Sequence, residues 1–162
     1  MDDLLDPAVL AALRTHRIAY RVMACSPEHA DTAAFCTHYG VPVEQAANTI
    51  IVASRRVEPP RYATCVALAT TRLDVNHTIK DLLGVARASF ADAQVTVALT
   101  GMMIGGVTPF GIRDLPLYVD AAVMAQPEVV MGGGNRSSKV LLAPADLMSM
   151  GAVVVTGLAQ AR

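Results

Sequence analysis

A mixed α/β fold, a sheet wrapped by short helices in one domain spanning residues 1–162, is what this sequence predicts, and three observations carry it. The length of 162 residues fits one ordinary core, since domains cluster near about 100–150 residues. Hydrophobic residues make up 53% of the chain and charged residues 17%, far from the polar, highly charged composition of chains that stay unfolded. Apolar runs of strand length alternate with helical patterns, and Gly, Pro or Asp stands close to most boundaries, as expected of a sheet covered by helices.

Asp6-Pro7 sets a cap residue and a first-turn proline before Val9, Leu10 and Leu13, which predicts a helix to about His16. Ile18 to Met23 reads as a strand. Asp31 is the next cap candidate, followed by Thr32-Ala33-Ala34-Phe35 and stopped by Gly40 and Pro42. Thr49 to Ala53 and Tyr62 to Leu68 are β-rich runs around a polar connection with Pro59 and Pro60. Asp74 is placed to cap a helix carrying Val75, Ile79, Leu82 and Leu83, with Gly84 ending it, and Ala93 to Thr100 forms another before Gly101. Strands are then expected at Leu117–Val119, Val129–Met131, Val140–Leu142 and Val153–Val155, with a last short helix from Pro144 to Leu147. Strand order is not set at this level, because short apolar runs do not distinguish parallel from antiparallel neighbours.

Thirteen Lys plus Arg against fourteen Asp plus Glu give a net charge of −1, so any nucleic-acid contact has to be local. Cys25, Cys36 and Cys65 are an odd number without C-x-x-C spacing, which suggests neither a disulfide framework nor a cysteine zinc site and makes a reducing cytoplasm the expected location. The acidic start Met1-Asp2-Asp3 lacks an apolar signal region. The uncharged stretch Ala93–Ile112 has the length of a membrane span but is broken by Gly101, Gly105, Gly106 and Pro109. P-loop, H-E-x-x-H, G-x-S-x-G and complete G-x-G-x-x-G signatures are absent. His16, His29, His38 and His77 are widely spaced, and no metal is expected.

Two glycine loops are the leading binding candidates. Gly101 to Gly111 holds four glycines and Pro109, and Gly132-Gly133-Gly134-Asn135-Arg136-Ser137-Ser138-Lys139 sets a guanidinium and an ammonium beside accessible amides. Each fits either a ligand cradle, for phosphate or carboxylate in the second loop, or a tight turn between strands. Asn48, in Gln45-Ala46-Ala47-Asn48-Thr49, either orients a ligand through its amide or bonds the strand end. Arg55, Arg56, Arg61 and Arg72 surround a single acid, Glu58, and form either a phosphate-steering patch or a solvated edge.

Taken together, Asp31-Thr32-Ala33-Ala34, Gly40-Val41-Pro42, Gln45 to Thr49, Arg72-Leu73-Asp74-Val75, Leu99-Thr100-Gly101, Gly105-Gly106-Val107-Thr108-Pro109-Phe110-Gly111, Tyr118-Val119-Asp120, Met131 to Gly134 and Leu142 to Leu147 resemble the YbaK and prolyl-tRNA editing domain family over about residues 30–148. The resemblance implies a YbaK-like mixed sheet and a trans-editing aminoacyl-tRNA deacylase of the Cys- or Ala-tRNAPro type, without metal or organic cofactor. It implies the tRNA acceptor end as partner, with prolyl-tRNA synthetase a further candidate, and neither membrane nor DNA. Catalysis would rest on backbone amides of Gly105 and Gly106 at the ester carbonyl, on Asn48, and on a water aided by the substrate's terminal ribose hydroxyl. Thr49, Thr108, Pro109, Gly111, Asp120, Gly132, Gly133, Gly134, Arg136 and Lys139 would bind substrate. One position departs from the family pattern: the usual Lys-Thr is Asn48-Thr49, which keeps hydrogen bonding and loses a charge that Arg136 or Lys139 could restore. The same departure supports an alternative, a catalytically weak or inactive module that binds aminoacyl-tRNA 3′ ends or a related small ligand; a scaffold subunit of a synthetase assembly is a third.

Overall fold

Local signals set most helix ends in the computed structural model, which describes residues 1–162. Asp6 caps α1 (Pro7–Thr15) by accepting from the Ala8 and Val9 amides, and Val9 and Leu13, one turn apart, are fully buried. Gly40, Gly84 and Gly101 end α2 (Thr32–Tyr39), α3 (Lys80–Leu83) and α4 (Ala93–Thr100) in the left-handed conformation. Asp92 caps α4 through the Val95 amide.

Two expected caps are corrected. The Asp31 side chain makes no cap bond to α2; its carboxylate receives Arg136 Nη1 at 3.0 Å. Asp74 likewise caps nothing and holds His77 and Thr78 through its carboxylate. The single helix expected after Asp74 is a π-helical turn, Val75–Ile79, running into α3, with the Ile79 N–H bonded to the Asp74 carbonyl five residues back.

The expected strands form, and the order of β1 (Tyr20–Ala24), β2 (Ala47–Ser54), β3 (Tyr62–Leu68), β4 (Thr71–Leu73), β5 (Ala88–Phe90), β6 (Leu117–Asp120), β7 (Val129–Gly132), β8 (Ser138–Leu142), β9 (Val153–Val155) and β10 (Ala159–Ala161) is now fixed. A five-stranded sheet runs β5-β2-β3-β6-β9, antiparallel at β5-β2-β3 and parallel at β3-β6-β9. A three-stranded antiparallel sheet runs β1-β8-β7, and β4 pairs with β10. The first two sheets meet at a parallel bridge between Ala46 and Val130. Short β4, β5 and β10, and the one-turn α5 (Ala121–Met124), carry too few residues to show a period in sequence.

The main core lies between α1, the three-stranded sheet and β3-β6, with Val9, Leu13, Phe110, Val119 and Met131 in contact. A second cluster packs Ile79 and Leu83 on Val52 and Cys65, and a third packs Phe35 and Cys36 of α2 on Val130 and Leu141. Burial pushes the Cys65 thiol up to about 12, and all three cysteines are free. Two histidines separated in sequence do meet, His29 and His38 stacking with centroids 3.8 Å apart. No helix is long and apolar enough to cross a membrane.

Candidate functional site

The edge strand β5 pairs with β2 only from Val52 to Ser54, which leaves the first part of β2 without a strand on that side. A cavity of about 290 Å³ opens there, walled by residues 47–51 of β2, Thr32 and Phe35 of α2, Thr96 of α4, Gly105 of the first glycine loop, residues 130–132 of β7, and Lys139 of β8. That is near the lower end of ligand-pocket volumes, about 300–1,000 Å³.

Lys139 is the one charged side chain in this wall. β8 is the middle strand of its sheet, and alternation puts Lys139 on the same face as Leu141, which packs on Phe35. Only 6% of Lys139 is exposed. Its Nζ donates to the Ala30 carbonyl at 2.6 Å and the Gly105 carbonyl at 3.0 Å, and it sits 5.5 Å from the centre of the Phe35 ring. Burial holds its pKa below the ordinary lysine value of 10.5; Cys25, Asp31 and Cys36 oppose this and Arg136 adds to it. An ammonium has three donors, so one remains for a ligand.

Across the cavity, the Thr32 hydroxyl donates to Asn48 Oδ1 at 2.6 Å. Both hydrogens of Asn48 Nδ2 are thereby left unspent. Thr49 lines the same wall, and its buried hydroxyl has no partner. Thr32, Phe35 and Thr96 complete the wall although their sequence context marks none of them as a site residue; Thr32 is the first residue of α2, directly after Asp31.

The two glycine loops pack on each other. Gly134 N–H donates to the Gly106 carbonyl at 2.7 Å, Met103 N–H to the Gly134 carbonyl at 3.1 Å, and Gly106 N–H to the Met103 carbonyl at 2.9 Å. A Cβ on Gly106 would collide with the Asn135 backbone, and one on Gly132 with the Gly106 and Val107 carbonyls. Gly105 has φ +90, and its added Cβ would meet the Arg136 guanidinium. Gly133 is closed by Ser138 and Gly134 by Asp6 and Val9. Glycine is therefore required here by loop packing, and Gly105→Ala perturbs the fold together with the site. Gly106 N–H is spent inside the loop, whereas Gly105 N–H donates to no protein acceptor.

Gly105, Gly132, Asn48, Thr49 and Lys139 are thus brought together; Gly106, Gly133 and Gly134 lie in the loop junction behind them. Arg136 differs from the expectation of an anion ligand. Its donors go to the Pro27 carbonyl, the Ile104 carbonyl and the Asp31 carboxylate, a clamp across three segments. Thr108, Pro109, Gly111 and Asp120 do not line the cavity. Thr108 is buried, Gly111 lies against the Ala8 carbonyl, and Asp120 accepts from the Ala159 N–H at 3.3 Å.

The architecture is shared with known structures. The hypothetical protein APE2540 superposes with a TM-score of 0.84 at 24% identity, covering 94% of this chain and 99% of that one. A protein described as a candidate trans-editing enzyme for prolyl tRNA synthetase gives a TM-score of 0.77 at 24% identity, covering 94% and 97%. At that identity the likeness is one of fold. The sequence model of the aminoacyl-tRNA editing domain matches residues 26–150, which take in both glycine loops, β2 and Lys139, and so this chain belongs to the aminoacyl-tRNA editing domain family.

Proposed function

We propose that this protein is an aminoacyl-tRNA deacylase that acts in trans on the 3′ ester of a mischarged tRNA. The observation that supports it best is the small cavity holding one buried, carbonyl-anchored cation, Lys139, opposite an Asn48 amide fixed by Thr32. A volume of about 290 Å³ suits small aminoacyl groups such as alanyl and cysteinyl, and the Cys- or Ala-tRNAPro type, with prolyl-tRNA synthetase as partner, is the substrate class we infer.

The reaction needs no nucleophilic side chain. A water, aided by the ribose hydroxyl beside the ester, adds to the ester carbonyl carbon. Its proton passes to the ribose oxygen as the ester C–O bond breaks, and a free amino acid and an uncharged tRNA leave. The free Gly105 N–H and the third Lys139 donor are the groups available to the carbonyl oxygen as it gains charge, and one such preorganised donor is worth about 2.7–4 kcal/mol in the transition state. Asn48 Nδ2 is available to the ribose. Lys139 on β8 thus supplies a cation to a cavity whose β2 wall carries a neutral Asn48.

The test is hydrolysis of Cys-, Ala- and Ser-tRNAPro by the parent and by Lys139→Met. Turnover of one substrate that is lost in the variant while folding is retained supports the deacylase. Binding of charged tRNA without turnover across the panel would instead favour a recognition module, with the neutral Asn48 as its motivating feature.

A further inference from the structure

We infer that the cleft between the far end of β2 and the segment Val75–Lys80 is a docking track for the phosphate backbone of the tRNA; the inference rests on the deacylase proposal and extends it to a second surface. Arg55, Arg56, Lys80 and Arg87 all line this cleft of about 480 Å³, and no acidic residue lines it. None of the four forms an ion pair, whereas Arg14, Arg21 and Arg136 each have a carboxylate. Arg55 makes only a long side-chain contact, 3.4 Å from Nη1 to Ser89 Oγ. With a net charge of −1 for the chain, the four uncompensated cations are a local feature of this cleft.

The backbone geometry builds the cluster. Successive residues of a strand face opposite sides, so Arg55 and Arg56 in extended conformation would diverge. Arg56 instead has φ +59, which breaks the alternation just after β2 ends and lets both arginines line one cleft. The patch expected from sequence is divided at the same time: Arg61 turns to the Leu83 and Gly84 carbonyls through Nη1 and does not line the cleft, and Arg72 lies on β4 in a different depression.

Strand β5 runs from the cleft, which Ala88 lines, towards the cavity. Phe90 pairs with Val52 and Ala88 with Ser54, so these β5 residues share a face with Ile50 and Asn48 of β2. Phe90 is 50% exposed and borders a small depression whose wall includes Asn48 and Ile50, residues that also line the main cavity. An exposed ring between the ester-binding cavity and a basic cleft is the pattern of single-strand recognition, bases stacking on aromatics while cations follow the phosphates. From Asn48 to Arg55 is about 23 Å at the rise of a strand, roughly seven stacked nucleotides, enough to pass the unpaired 3′ end and reach the acceptor stem.

The experiment compares the parent with Arg55→Gln/Arg87→Gln on two substrates, an alanyl-tRNA and the alanyl ester of adenosine. Deacylation of the tRNA below saturation is expected to fall roughly tenfold or more, with the slope of log affinity against log salt shallower by about 1.4–1.8 for two lost contacts; hydrolysis of the small ester is unchanged. Phe90→Ala is expected to weaken tRNA binding roughly 5- to 150-fold. A parallel loss on both substrates, or an unchanged salt slope, overturns the track. If the parent hydrolyses neither these esters nor their cysteinyl and seryl counterparts, the deacylase proposal fails, and the salt slope of uncharged tRNA binding, parent against double variant, still decides whether the track exists.

Discussion

Lys139 and Arg136, three residues apart, carry their charges into cages of protein carbonyls, while Arg55 and Arg56, adjacent at the end of β2, carry theirs into an open cleft with no acid. The first pair spends donors on Ala30, Gly105, Pro27, Ile104 and the Asp31 carboxylate and so fixes the segment leading into α2 against the two glycine loops. The second pair spends almost none and is available to phosphate. Equal formal charge thus serves internal geometry in one region and recognition in the other, and what separates them is whether backbone oxygen or solvent surrounds the cation.

The sharpest way to break this comparison is at Lys139. Lys139→Met removes one of the two donors available to the developing oxyanion, worth about 2.7–4 kcal/mol, so kcat/KM for aminoacyl-tRNA should fall roughly 100- to 1,000-fold in a single-turnover assay while the melting temperature shows the variant folded. Unchanged kcat/KM would reduce Lys139 to an anchor.

Gly106→Ala tests the enclosed side without touching a charge. The added methyl meets Asn135 backbone, and overpacking of this kind costs about 1–3 kcal/mol, a fall of roughly 2–12 °C in melting temperature for a chain of this size. A thermal melt at the parent's temperature would show that the two loops separate easily and that their contact is not the constraint described here.

Thr32→Val keeps shape and removes the hydroxyl that holds Asn48. A neutral hydrogen bond contributes about 0.5–1.5 kcal/mol, so a two- to tenfold loss of turnover is expected, with Thr32→Ser recovering most of it. Equal loss in the Ser variant would point to packing of the methyl group in place of the hydrogen bond.

A pH titration of stability sharpens the comparison further. Burial lowers the Lys139 pKa in the folded chain below the 10.5 expected in the unfolded one. Between those two values the unfolded state binds more protons, so deprotonation favours folding and the lysine's contribution rises with pH. The stability of the parent relative to Lys139→Met should therefore increase as pH climbs through that interval towards 10.5, measured by denaturant midpoints; a flat difference would place the ammonium in a solvated setting. The comparison with the variant is needed because Cys25 and Cys36, both raised by burial, titrate with the opposite sign. The smallest effect belongs to the open side, where Arg55→Gln should change stability by no more than about 0.5 kcal/mol.

Much of the fold was legible because its signals are local. Asp6-Pro7 starts a helix, and Gly40, Gly84 and Gly101 end helices, through contacts within one turn. The runs in β2, β3, β6, β7 and β8 are apolar because both faces are covered. Asp31 and Asp74 misled for the same reason: a carboxylate before a helix looks like a cap, but a partner distant in sequence (Arg136) or a side chain on the next turn (His77) can claim it first. Of the candidate site, Asn48, Thr49, Gly105, Gly132 and Lys139 share one cavity, while Asp120 lies outside it, accepting from the Ala159 amide, and Gly111 packs against Ala8.

The sequence by itself determined the family pattern, the element types, the glycine positions and a neutral Asn48 before Thr49. Only the tertiary structure decided that β8 returns a cation to that same cavity, that Gly106 is required by Asn135, and that four of the arginines and lysines share a cleft. Helix caps and apolar periodicity are set by neighbours along the chain, whereas strand order brings together residues as far apart as Asn48 and Lys139, and whether a charge meets carbonyls or water is fixed only when those distant segments pack.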